Sequence, residues 1–141
     1  MNRVVHFEIH VDDVERAMQF YQNVFGWEMQ QMGPELGNYV IIKNGPTLDE
    51  IQAGTKITPE NIGINGGMMK RNAPKPPEGM SPMSFVCVIG VDHIDTYIEK
   101  AKAAGGKEHM AKMHIPGVGF VAYYADTEGN LFGMIEPEPM P

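Results

Sequence analysis

The chain has 141 residues, 43% of them hydrophobic and 21% charged, the composition of one globular domain with a real core. Its formal net charge of −7 and pI near 5.1 argue against nucleic acid and anionic membrane, which would repel such a surface, and leave a small molecule as the expected partner. Cys87 is the single cysteine, so no intrachain disulfide and no cysteine metal cluster are expected; with no signal peptide or membrane span legible, the protein reads as cytoplasmic.

The first element is the alternating stretch HFEIH, residues 6–10. As a strand it puts His6, Glu8 and His10 on one face and Phe7, Ile9 and Val11 on the other. Val14, Ala17, Met18, Tyr21, Val24 and Phe25 then recur at helical spacing. Asp12, with Glu15 three residues on, suits the start of that helix and Gly26 its end. Residues 27–32 read as a strand, 33–38 as a turn, and 39–43 (YVIIK) as a β-branched strand. A loop with Pro46 and Pro59 follows, then the glycine-interrupted strand GINGGMMK, and then a proline-dense linker over about 71–82.

From about residue 83 the pattern starts again. SFVCVIGV reads as a strand and DHIDTYIEKAKAAGG as a helix with Ile94, Tyr97, Ile98 and Ala101 on one face and Gly105 at its end. Val11 and Asp12 correspond to Val91 and Asp92 at an offset of 80, and Gly26 to Gly106. FVAYYAD then answers YVIIKNG, and GNLFGMIEP answers GINGGMMKR, so each half reads strand, helix, three strands. Neither half has the apolar surface to stand comfortably alone, and two set side by side would form one curved sheet.

The motifs HFEIHVDDVERAMQFYQNVFGW, GINGGMMKR, IPGVGFVAYYADTEGN and NLFGMIEP, in that order and over nearly the whole chain, resemble the vicinal-oxygen-chelate superfamily, the glyoxalase, bleomycin-resistance and dioxygenase group. Within it the likeness is to single-domain proteins related to lactoylglutathione lyase. The resemblance implies an α+β fold: two βαβββ modules (about 1–70 and 83–137) forming a U-shaped mixed sheet around a cavity, helices on the outer face. It also implies a small-molecule ligand, often a homodimer, and a lyase or isomerase activity; a non-catalytic binding or sequestering protein is the alternative.

The resemblance places metal ligands on the first and last strand of each module, and this chain departs from that pattern. His6 matches the first-strand histidine, but Val86, Val88 and Gly90 stand opposite His6, Glu8 and His10 in the repeat. Gly133 stands where the carboxylate would follow the Asp126–Asn130 turn, and Glu136, three residues on, falls on the other strand face. His6 is thus the one family ligand position retained. His6 and His10 are about 13 Å apart along an extended strand, so His6, Glu8 and His10 cannot converge on one ion without His109 or His114. No cofactor is expected, with a divalent metal the less favoured alternative.

Glu8 is then the candidate base, since a carboxylate in a partly apolar cavity becomes a proton acceptor suited to catalysis; pairing with Lys112 or Arg3 is the plainer reading. His6 and His10 are candidate ligand contacts, His10 the more solvated. In similar proteins the segment KMHIPGVGFVAYY borders the cavity mouth, which adds Lys112, His114 and Tyr124 as candidates. Periodicity does not decide which of Tyr123 and Tyr124 faces the cavity. GINGG lacks the lysine–serine ending of a phosphate cradle, and His93 reads as surface.

Overall fold

A computed structural model describes residues 4, 6–75 and 86–138. The linker expected at 71–82 lies mostly outside them; residues 71–75 are neither helix nor strand. The fold is α+β, with two βαβββ modules. The first runs β1 Phe7–Val11, α1 Val14–Phe25, β2 Glu28–Gln31, β3 Val40–Lys43, α2 Leu48–Gln52 and β4 Gly66–Lys70. The second runs β5 Val88–Gly90, α3 Ile94–Ala103, β6 Lys107–Ile115, β7 Gly119–Ala125 and β8 Leu131–Pro137. Each forms a four-stranded mixed sheet of the same order, β1-β4-β3-β2 and β5-β8-β7-β6, with its first and last strands parallel. No helix among the described residues is long and apolar enough to cross a membrane.

The chain divides into two compact units, Met1–Val14 with Gly26–Asn72, and Glu15–Phe25 with Ala73–Pro141. The division therefore does not follow the repeat, because α1 belongs with the second sheet. In the first unit, Val11, Val40, Ile42 and Met68 are fully buried, and Phe7 and Ile9 half-buried on the same sheet face. His6, Glu8 and His10 alternate with them and are exposed, as a two-residue period requires.

In the second unit, Phe20, Tyr21 and Phe25 of α1 make edge-on ring contacts with Phe132 of β8, and Phe25 stacks on Tyr97 of α3. The periodic residues Ile94, Ile98 and Ala101 of α3 are buried.

Two local expectations are corrected. The loop after Pro46 contains α2, whose N-cap Thr47 accepts from the Glu50 amide while the Glu50 carboxylate accepts from the Thr47 amide; the T-x-x-E spacing carried that signal. The helix-ending counterpart of Gly26 (φ 67°) is Gly105 (φ 95°), not Gly106. Gly106 serves instead for close approach, since a Cβ there would sit 2.8 Å from the Ala101 carbonyl oxygen.

Candidate functional site

The open face of the first sheet carries the polar side chains of β1, joined by a residue that strand alternation alone does not single out. Tyr39, just before β3, reaches across β4 to β1. Its hydroxyl lies 2.8 Å from His6 Nε2 and donates to Glu8 Oε1 at 3.3 Å, while His10 Nε2 stands 3.6 Å from Glu8 Oε2. Partial burial, and then the neighbouring Glu8 charge, push the Tyr39 phenol above its ordinary pKa, so it keeps its proton at neutral pH. A carboxylate only accepts; the phenol donates to Glu8, which leaves its oxygen to accept from His6 Nε2–H. The result is a directed chain, His6 to Tyr39 to Glu8.

The paired glycines of GINGG make this geometry possible. Glu8 pairs with Gly67 across β1 and β4, and Ile41 of β3 pairs with Gly67 from the other side. A Cβ on Gly67 would overlap Tyr39 Oη and Cζ, so the ring lies against the bare β4 backbone. On the opposite face a Cβ on Gly66 would come 2.7 Å from the Phe7 ring, which packs at 5.8 Å from Trp27. Each glycine thus seats one ring.

The metal that the resemblance implies does not fit these residues. In the second sheet, Val88 and Tyr123 flank Gly133 in register, and a Cβ on Gly133 would meet Tyr123 Cε1 at 3.0 Å and Val88 Cγ2 at 3.1 Å. The carboxylate position is therefore crowded by neighbours as well as empty of donors. Glu136 is engaged elsewhere, accepting from the Ile94 amide at the start of α3 at 2.8 Å. Among the described residues no three His, Cys, Asp or Glu side chains are grouped to hold an ion.

The other candidates lie in the second unit. Lys112 pairs at 2.6 Å with Asp95 of α3 rather than with Glu8 and stands over the Phe120 ring. His114 pairs with Glu138, whose carboxylate also accepts from the Gly117 amide; the imidazole, then that amide, hold the Glu138 carboxyl below its ordinary pKa. Tyr124 is buried and donates to Glu108 Oε2 at 3.2 Å, and burial followed by Glu108 pushes it up to about 12. Tyr124 and Phe132 are register partners on the helix-covered face. Tyr123 belongs to the other face, with Val88 and Gly133. His109 and His93 are exposed. Arg3 lies outside the described residues.

The Asp126–Asn130 turn is structural. Asp126 accepts from the Tyr21 hydroxyl at 2.7 Å and from the Glu128 and Asn130 amides, while burial raises its pKa. Glu128, with 0% exposure, receives Arg16 of α1 through two hydrogen bonds of 2.7 and 3.0 Å.

With this geometry established, comparison with known proteins is consistent on the fold. A family model described as "Bleomycin resistance protein-like N-terminal" matches residues 3–45. A glyoxylase-like domain-containing protein of Didymella fabae is 30% identical over 87% of this chain and 84% of its own length. CFP32 of Mycobacterium tuberculosis, whose name includes the word glyoxylase, is 29% identical over 94% of the chain, which spans only 43% of that relative. A mutant of the fosfomycin resistance protein FosX from Listeria monocytogenes, solved with Mn(II) and a dihydroxypropylphosphonic acid, superposes with a TM-score of 0.68. It is 16% identical, covering 98% of this chain and 92% of that one.

Proposed function

The chain belongs to the vicinal-oxygen-chelate superfamily, and we propose that it binds a small molecule on the open face of its first sheet, without a metal, and acts on it as a lyase or isomerase with Glu8 as the acid–base group. The observation that carries this reading is the Tyr39 hydroxyl placed between His6 and Glu8 over Gly67. The hydrogen bond from Tyr39 fixes the Glu8 carboxylate by one oxygen and leaves the other open toward His10 and solvent. Glu8 takes a proton from the ligand there, and Tyr39 and His6 hold it in place while it does so.

A non-catalytic binding protein would use the same face. The two readings separate in one series on the purified protein: metal content by mass spectrometry, thermal shift with divalent ions and with thiol adducts of an α-oxoaldehyde, then turnover with and without chelator. Chelator-resistant turnover that falls roughly 10²–10⁴-fold in Glu8→Gln, with binding less affected, is the expected outcome. Binding without turnover selects the sequestering protein. One tightly held transition-metal equivalent that is lost with His6 would overturn the metal-free reading. A homodimer is part of the proposal, tested by light scattering.

A further inference from the structure

The charge and surface of this face also specify what kind of molecule it takes. The open-face residues of the first sheet include Glu8 and Glu28 as acids and Lys43 as a base, and Arg71 follows at the end of β4. Neither cation is available to a ligand. Lys43 is bonded to Glu50 at 2.8 Å, and Arg71, its side chain 8% exposed, lies on Asp12 and the His10 carbonyl. Apart from the imidazoles of His6 and His10, which lie against Tyr39 and Glu8, an anionic ligand would find no free positive side chain among the described residues of this face, and would face the half-exposed Glu8 carboxylate. A cationic one would find that carboxylate at the hydroxyl end of an aromatic ring. Because the Tyr39 ring lies against the backbone of Gly67, its other side is turned away from the sheet, beside Ile41, which is 44% exposed, and the half-buried Met69.

Resting on the binding reading above, we propose that the ligand is an organic ammonium on an aryl or apolar body, its charge on Glu8 and its flank on the Tyr39 ring, with Tyr39 as the specificity-determining residue. Two contributions add at the same place: a charge-assisted hydrogen bond to Glu8 Oε2, which Tyr39 does not engage and which faces His10 at 3.6 Å and solvent, and attraction of the cation to the ring. Gly67 is then part of the recognition device, since any side chain there displaces the ring. The preference is opposite in sign to the phosphonic acid in the FosX complex.

The test uses three probes of one shape and different charge, 2-phenylethylammonium, 2-phenylethanol and 3-phenylpropionate. Each is titrated into the full chain near pH ~8, above the ordinary imidazole range, while backbone amides are followed by NMR. The ammonium should shift the amides of residues 6–10, 39 and 67 and bind about 10-fold more tightly than the carboxylate. Glu8→Gln should erase that difference. Tyr39→Leu, which keeps the carboxylate, should weaken the ammonium about 2- to 5-fold, a loss that plain attraction to an acidic surface would not show. The alcohol or carboxylate binding at these amides as well as the ammonium overturns the charge assignment and leaves the site standing. No probe shifting these amides, or shifts confined elsewhere, overturns both readings.

Discussion

Gly67 and Tyr39 act as one unit, and so do Gly66 and Phe7, yet the consequences of adding a methyl differ between the two. At Gly67 the obstructing ring is only half-buried and can swing into solvent, so Gly67→Ala should change stability by less than about 1 kcal/mol while removing the His6–Tyr39–Glu8 chain. At Gly66 the obstruction is Phe7, packed on Trp27, and Gly66→Ala should cost about 1–3 kcal/mol. Chemical denaturation ranks the two. In a Tyr39→Ala background, Gly67→Ala should have no further effect on ligand binding, because nothing remains to displace; an additive loss would mean that Gly67 acts by another route. Strand alternation was sufficient to set His6, Glu8 and His10 on one face, and that much was legible in the sequence. Tyr39 was not, because its role depends on the β1-β4-β3 register, which pairs residues distant in the chain, Glu8 with Gly67 and Ile41 with Gly67.

At the level of elements, the two long helices follow from their apolar period, but the sheet α1 serves does not. Beside the ring contacts to Phe132, its attachment uses charged side chains that look like surface in the sequence: Arg16 reaches a fully buried Glu128, and the Tyr21 hydroxyl donates to a buried Asp126. Arg16→Met would remove two charge-assisted hydrogen bonds from the buried Glu128, and we expect a loss of about 3 kcal/mol, near the low end for a broken buried pair because the arginine is itself half-exposed. For a chain of this size that is a fall in Tm of roughly 10 °C. Arg16→Met with Glu128→Leu should recover most of it, and a double variant as unstable as the single would show that the pair does more than cancel charge. Glu138, just after β8, is held by His114 and the Gly117 amide, both of which favour its ionised form. Since the folded pKa is depressed, the tie contributes above the ordinary glutamate range and is lost as pH falls through the folded value. The protection of the Gly117 amide, its exchange rate divided into the intrinsic rate at the same pH, should fall as acid protonates Glu138, and Glu138→Gln should flatten that dependence.

Across the whole molecule, one strand order serves two modules whose open faces have diverged. Glu8 beside Gly67 in the first sheet corresponds to Val88 beside Gly133 in the second; a tyrosine ring occupies the Cβ position of Gly67, and at Gly133 a tyrosine ring stands within tight contact of it. The repeat and the missing carboxylate were visible as spacing in the sequence; that Tyr123 and Val88 crowd the position was not, because it depends on the side chains of neighbouring strands. The proposed metal-free reading thus has a packing side as well as a donor side, and it can be tested by trying to restore a ligand. Gly133→Glu alone should lower stability by about 1 kcal/mol at most, because Tyr123 and Val88 stand at the limit of contact with a Cβ there but are half-buried and exposed, respectively, and can give. Gly133→Glu with Tyr123→Ala should recover part of that loss by opening the space. Neither variant should bind Mn(II), Zn(II) or Ni(II) at one equivalent in calorimetry, since a restored carboxylate still faces Val88 in register rather than an imidazole. Stoichiometric binding by the single variant would mean that one residue had kept the metal out. Binding by the double variant alone would mean that Tyr123 was the barrier and that the remaining donors are sufficient after all.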